Sequence, residues 1–295
     1  MKTPQASPSV AIRGSTQLFG LIGHPVSHSL SPAMHNAALT ALGIDAAYVP
    51  FPVAPRHLEQ AIAGLEAIGV GGFNITIPHK QAVLPLLKSA SDTARAVGAV
   101  NTVYRLPDGG WGGRNTDVEG FTRPLPALNW RGRKALVLGS GGAARAVIQG
   151  CLQLGFAAVR VVGRSGARLS LLETEWPDFV RPILWNDVGS VLADSDLVVN
   201  ATPVGMHSDS DREAISKSPI SEADIAQLPD AAIVYDLIYT PRPTRLLSLA
   251  KKRGLLAIDG LEMLVQQGAI ALSLWLGDRE VPVGVMREAA ERSLG

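Results

Sequence analysis

The stretch Leu136-Val137-Leu138-Gly139-Ser140-Gly141-Gly142-Ala143-Ala144-Arg145 decides the fold. An apolar run of strand character meets glycines and continues into a segment, 143–154, with helical periodicity. The spacing is G-x-G-x-x-A. Gly139 permits a tight bend, Gly141 lets the backbone approach a pyrophosphate, and Ala144 lets helix and strand pack closely. The start of the helix favours negative charge. A glycine-rich turn without a ligand would look the same in isolation. Here a second strand, 159–162, follows in the expected place, and further strands read at 197–200, 233–237 and 256–258. The second half is therefore a Rossmann-type dinucleotide-binding domain.

The end of the second strand selects the dinucleotide. A carboxylate there would accept the ribose 2′-hydroxyl of NAD, but residues 159–168 contain no Asp or Glu. Val162-Gly163-Arg164-Ser165-Gly166-Ala167-Arg168 instead offers two guanidinium groups and a hydroxyl to a 2′-phosphate.

Working outward, the first half alternates strand patterns (18–23, 48–53, 73–77, 99–105) with helical ones (32–42, 58–68 and a helix opened by Pro78). Such alternation implies βαβ units and a mostly parallel sheet. Pro107-Asp108-Gly109-Gly110 reads as a turn, and 113–120 as a linker between domains. Helices at 261–276 and 285–293 follow the last strand and are expected to return to the first domain. The expected architecture is α/β in two domains: a mobile extension 1–16, a substrate domain 17–116 plus 262–295, and a dinucleotide domain 117–261. The Ser- and Asp-rich segment 207–213 reads as a solvated loop.

Bulk properties narrow the function classes. A net charge of +1 gives no footprint for nucleic acid or an anionic membrane. Cys151 is the single cysteine, which excludes an internal disulfide and suits a reducing compartment. The N-terminal stretch has no apolar core of signal-peptide type, and Gln266 and Gln267 interrupt the most apolar C-terminal stretch. A cytoplasmic protein without membrane or nucleic-acid partners is expected.

Four segments of the first half carry chemistry together: 23–32 (GHPVSHSLSP), 72–80 (GFNITIPHK), 98–102 (GAVNT) and 113–117 (GRNTD). Ser29 and Ser31 could donate to a carboxylate, although Ser31 before Pro32 also has the pattern of a helix N-cap. Asn74, Thr76 and Lys80 fall at a strand's C-terminal end, where open α/β sheets bind ligands. His24, His28 and His35 could suggest a metal, but Pro25 and Pro32 break any helix that would align them, and no metal is expected.

With the dinucleotide turn, these segments closely resemble the monofunctional bacterial shikimate dehydrogenases. The resemblance is renewed at 200–206 (NATPVGM), 236–241 (DLIYTP) and 260–267 (GLEMLVQQ). Gly163 stands where the family often has Asn, and Gly268 where it usually has Ala. The resemblance implies NADPH-dependent reduction of 3-dehydroshikimate to shikimate, with Lys80 and Asp117 as the catalytic pair. It implies that Ser29, Ser31, Asn74, Thr76, Asn101, Tyr239 and Gln267 hold the substrate. Gly139, Ser140, Gly141, Gly142, Ala143, Gly163, Arg164, Ser165, Arg168, Leu237 and Gly260 would contact NADP, and the protein would be a monomer or homodimer. Two alternatives stay open: a quinate/shikimate dehydrogenase using NAD, and a non-catalytic sensor of the same ligands. The sensor ranks lower because Lys80 and Asp117 are both retained and no further domain is attached.

Arg164→Asp should weaken NADP far more than NAD. Raising salt should narrow the parent's preference, because exposed charges are screened. Steady-state kcat/KM with both dinucleotides checks this, and equal values for the parent would favour the quinate-type alternative.

Overall fold

The computed structural model describes residues 12–207, 211 and 213–294, which form two compact units. One comprises the described residues up to Thr116 together with those from Gly268 onward; the other is Asp117–Gln267.

The first unit contains β1 (Gln17–Gly23), α1 (Ser31–Ala41), β2 (Ala46–Pro52), α2 (Leu58–Ala67), β3 (Gly72–Ile75), β4 (Ser89–Ala90), α3 (Asp92–Val97), β5 (Thr102–Arg105) and β6 (Trp111–Arg114). Its sheet runs β2-β1-β3-β5-β6-β4 and is mostly parallel; β5 alone runs against its neighbours. On one face Ile62 and Leu65 of α2 join Phe73, Val103 and Trp111 in a buried core. The other face is closed by Trp275, which stacks on Phe19 at 5.2 Å and donates its indole N–H to the Val103 carbonyl. Gly72 makes that approach possible, since a Cβ there would lie 2.3 Å from Trp275 Nε1.

The second unit contains α4 (Asp117–Thr122), β7 (Lys134–Leu138), α5 (Gly142–Leu154), β8 (Ala158–Gly163), α6 (Gly166–Glu175), β9 (Val180–Leu184), β10 (Leu197–Asn200), α7 (Glu222–Ala226), β11 (Ile233–Asp236), α8 (Arg245–Lys252) and β12 (Leu256–Ile258). Helix α9 (Gly260–Trp275) begins here and ends in the first unit, where α10 (Val283–Leu294) packs along α1. The six strands are all parallel in the order β12-β11-β10-β7-β8-β9, the doubly wound order of a dinucleotide fold. Their central strands are mostly apolar because both faces are covered, by α5 and α6 on one side and α7 and α8 on the other.

Several expectations change. No helix starts at Pro78: residues 77–83 form turns, with a short 3₁₀ segment at Leu84–Leu86. Pro85 lacks the N–H a helix would need and restricts Leu84 before it. Residues 113–114, expected within the linker, belong to strand β6, and the units part at Thr116/Asp117. Strand β9 was not anticipated because it contains Pro182. As an edge strand paired only to β8 it tolerates that residue. The second break falls after Gln267, later than the expected 261/262. Met263 packs on the second unit's core, and Gly120 lets α4 meet the Met263 carbonyl and Gln267. Of the extension, residues 1–11 lie outside the described residues, but Ser15 and Thr16 are tied to Asp45 by hydrogen bonds of 2.6 and 2.7 Å. In the loop 207–213, residues 208–210 and 212 also lie outside the described residues.

His35 is fully buried on α1, edge-on to Tyr48 at 4.1 Å, and neither ring nitrogen has a hydrogen-bond partner. Gly268 makes room for it: a Cβ there would sit 3.3 Å from His35 Cε1. Burial lowers its pKa to about 3. The unfolded chain then binds the extra proton between pH 6.5 and about 3, so stability falls as pH falls through that window. Asp236, pushed from 3.8 up to about 6, acts with the opposite sign between those two values, inside the same window. The comparison that isolates His35 is therefore parent against His35→Leu. Their unfolding free energies should diverge in slope by about 1.4 kcal/mol per pH unit below pH 6.5, measured by denaturant titration at several pH values.

Candidate active site

In the first unit the predicted substrate residues lie at the C-terminal ends of β1 and β3 and just before the start of the antiparallel β5. Asn74 is buried at the end of β3. Its amide donates to the Asn101 carbonyl (3.1 Å) and to Thr102 Oγ1 (3.1 Å), and its Oδ1 accepts from the Tyr48 hydroxyl (2.8 Å). Both amide hydrogens of Asn74, expected as a substrate residue, bond to protein groups and tie the end of β3 to residues 101–102. Asn101 Oδ1 accepts the Thr116 N–H at 2.7 Å, and Asn101 Nδ2 donates to Thr116 Oγ1 at 3.0 Å. Thr102 and Thr116 share a further 3.1 Å bond. Tyr48, Thr102 and Thr116 were not expected as site residues. Thr116 lay in a quoted motif, but Tyr48 sits in an apolar strand that gives no polar signal.

The turn carrying Lys80 is clamped from several sides. Thr76 N–H donates to the Ile22 carbonyl, His24 N–H to the Ile77 carbonyl, and the buried His79 ring bonds the Val53 carbonyl at 2.7 Å. A carbonyl only accepts, so His79 Nε2 carries the proton. The Lys80 carbonyl accepts from Val100 N–H at 2.8 Å. Lys80 and Thr116 are therefore both tied to residues 100–101, and Asp117 is the next residue in the chain, buried as the first of α4. Ser29 is half-buried and accepts the Ser31 N–H at 3.2 Å. The N-cap of α1 is Leu30, not Ser31. The helix starts one residue earlier than expected, which releases the Ser31 hydroxyl from capping.

In the second unit Gly139 has φ +107, and a Cβ there would lie 2.9 Å from Thr202 Cγ2 and 3.1 Å from the Ala201 carbonyl. Gly141 caps α5 without a side chain, and a Cβ at Gly141 or Gly142 would meet nothing within 4 Å. No acid occupies the first turn of α5. An exposed, uncapped N-terminus of a 13-residue helix beside an open glycine turn fits a pyrophosphate. Ser140 and Gly163 face each other: a Cβ on Gly163 would be 3.3 Å from Ser140 Oγ and 3.1 Å from Leu169. The side chains of Arg164 and Arg168 are exposed and, among the described residues, in no ion pair. Ser165 Oγ accepts the Arg168 N–H as N-cap of α6, which leaves its own hydrogen available to donate. The residues present therefore fit a dinucleotide with a phosphate on its adenosine ribose.

Leu237 donates its N–H to the Asn200 carbonyl. Gly260 must be glycine, because a Cβ would be 2.1 Å from the Leu237 carbonyl. Tyr239 is half-buried, and burial raises its phenol above the ordinary range. Gln267 is buried and donates to the Leu264 carbonyl at 2.8 Å. Behind these loops lies the buried Asp236 with Asn200 and Thr244, none of which was expected as a site residue. Among the described residues no three His, Cys, Asp or Glu side chains cluster as metal ligands. None of the described helices is long and apolar enough to cross a membrane.

Residues 21–103 match the family model for the shikimate dehydrogenase substrate binding domain, and residues 260–291 that for the shikimate 5′-dehydrogenase C-terminal domain. A shikimate dehydrogenase (NADP(+)) of Synechococcus sp. (strain JA-2-3B'a(2-13)) is 59% identical, over 96% of this chain and 98% of that one. The chain belongs to the shikimate dehydrogenase family. The family likeness extends to solved structures. The shikimate 5-dehydrogenase of Thermus thermophilus in complex with NADP(H) and shikimate has TM-score 0.83 and 37% identity, with 95% of this chain and 100% of that one covered. Quinate dehydrogenase of Corynebacterium glutamicum in complex with NAD has TM-score 0.83 and 32% identity, with coverage of 93% and 98%.

Asn101→Ala should strand the buried Thr116 N–H without an acceptor, at a cost of about 1–3 kcal/mol. Denaturant unfolding of parent and variant measures it; an unchanged midpoint would show that Thr116 finds another partner.

Proposed function

We propose that this protein is an NADP-dependent shikimate dehydrogenase that reversibly reduces 3-dehydroshikimate to shikimate, a step toward aromatic amino acids. What carries the reading is full-length kinship to NADP(+)-named shikimate dehydrogenases. It is supported by two unpaired arginines, and no carboxylate, after the second dinucleotide strand. The quinate neighbour binds NAD, so the absence of that carboxylate here favours the shikimate reading.

When bound, NADPH supplies the hydride. The chain's own residues manage the charge that develops on the substrate oxygen as its carbonyl carbon accepts the pair. The Lys80 ammonium is assigned to stabilise that oxygen and protonate it, and in the reverse direction the Lys80 amine takes the proton back. Asp117 is assigned to orient Lys80 and balance its charge. The assignment suits the backbone, because residues 100–101 tie down both the Lys80 carbonyl and Thr116. Ser29 and Ser31 would donate to the substrate carboxylate, and Asn74, Thr76, Asn101, Tyr239 and Gln267 would bind the remaining groups. Around NADP, Gly139 to Ala143 would cradle the pyrophosphate, Arg164, Ser165 and Arg168 the 2′-phosphate, and Leu237 and Gly260 the reactive end.

Lys80→Ala should lower kcat by about 10²-fold or more, a typical general-acid contribution, with a smaller change in KM. Steady-state kinetics with shikimate and quinate, each with NADP and NAD, tests the whole reading. Turnover of neither acid by the parent enzyme would leave a binding protein. Near-parental turnover by a folded Lys80→Ala variant would remove Lys80 from the chemistry.

A further inference from the structure

The second unit holds a buried carboxylate for which the reaction has no evident use. Asp236, the last residue of β11, is fully buried and, among the described residues, forms no ion pair. An isolated buried carboxylate is expensive unless donors replace its water. Three donors do so: Asn200 Nδ2 and Ile238 N–H on Oδ1 at 2.9 and 3.1 Å, and Thr244 Oγ1 on Oδ2 at 2.7 Å. Even so, burial pushes its carboxyl up to about 6.

Each donor belongs to a different chain segment, and the Ile238 and Asn200 segments lead to residues assigned above. Ile238 lies between Leu237 and Tyr239. Asn200 in turn accepts from Thr202 N–H at 3.0 Å and Thr202 Oγ1 at 2.7 Å, and the Thr202 methyl is what a Cβ on Gly139 would strike. Thr244 also caps α8 by accepting the Leu247 N–H. The Leu237 carbonyl rests on Gly260. One carboxylate thus fixes the loops after β10 and β11 relative to the glycine turn, at the C-terminal strand ends where doubly wound sheets bind dinucleotides.

We propose that Asp236, through Asn200 and Thr244, is a positioning residue that sets the Leu237–Tyr239 loop against the reactive end of the dinucleotide. It touches neither cofactor nor substrate. The proposal rests on the NADP reading above and adds a division of labour. The glycine turn, Arg164 and Arg168 hold the adenosine half, whereas the Asp236 hub governs alignment of the nicotinamide half. Asp236→Asn keeps the shape but replaces one acceptor oxygen with an NH2 group, so either the Thr244 hydroxyl must turn from donor to acceptor or both Asn200 Nδ2 and the Ile238 N–H lose their acceptor.

The test measures kcat with NADP and shikimate, together with calorimetric affinity for 2′,5′-ADP, which needs only the adenosine half. Asp236→Asn should lower kcat roughly 10- to 100-fold, the scale of a small misplacement of reacting groups, while 2′,5′-ADP affinity stays within about twofold of the parent. If Asp236→Asn does not fold, Thr244→Val and Thr244→Ser decide. The serine should retain parental kcat, because it keeps the hydroxyl, and the valine should lose it. Parental kcat in Asp236→Asn or Thr244→Val overturns the proposal. Equal losses of kcat and 2′,5′-ADP affinity also overturn it, because they assign Asp236 to general integrity of the unit. A parent that binds no 2′,5′-ADP would instead defeat the NADP reading itself, and that result is visible before any variant is made.

Discussion

The functional end of the first unit depends on one hydrogen bond, from the Thr116 N–H to Asn101 Oδ1 at 2.7 Å. Parallel strands end in loops whose backbone groups have no ladder partner, and buried N–H and C=O groups must still be satisfied. Asn101 solves this at the close of the sheet by using its amide as a surrogate backbone. Through it the approach to β5 is joined to the residue before Asp117. Its neighbour Val100 joins the same point to the Lys80 carbonyl. Asn74, Thr102 and Tyr48 surround this junction, so its rigidity is built from several mutually satisfied polar groups, each costly to disturb in a low-dielectric interior.

The second unit solves the same problem differently. Its strands are parallel and apolar, and their C-terminal ends face glycines and a buried acid. Gly139 and Gly260 are required by contact, one against Thr202 and Ala201, the other against the Leu237 carbonyl. Where the dinucleotide would approach, Gly141 and Gly142 leave open space instead. Glycine therefore has two separate uses in neighbouring loops: close packing of protein on protein, and clearance for a ligand.

Buried ionisable groups are kept at low charge cost in both units. His35 is neutral because burial lowers its pKa to about 3, and its ring is packed by aromatics rather than hydrogen-bonded. Cys151 is buried in the core of the second unit, and burial pushes its thiol far up, so it behaves as a small apolar side chain. The surface pairs, such as Lys88–Asp108 and Lys252–Glu222, are exposed and add little, since water screens them.

The dinucleotide fold was legible in the sequence because its signals are local. A strand, a glycine turn and a helix occupy consecutive residues, and the missing carboxylate after β8 needs only ten positions to be noticed. The substrate motifs were legible for the same reason, as short runs of polar residues at strand ends. What the sequence could not decide was which polar groups face a ligand and which face each other. Asn74 reads as a substrate residue, and its amide also bonds protein groups at the start of β5. Ser31 looked like an N-cap and is not one. Tyr48 drew no notice, and Asp236 stood in a motif without a role, because the partners Asn74 and Asn200 are 26 and 36 residues away in the chain. The turn at Lys80, the β5–β6 hairpin and the break within α9 likewise follow from contacts between distant segments. Local propensity and periodicity are fixed residue by residue, whereas the pairing of buried donors with acceptors exists only once the strands have been brought side by side.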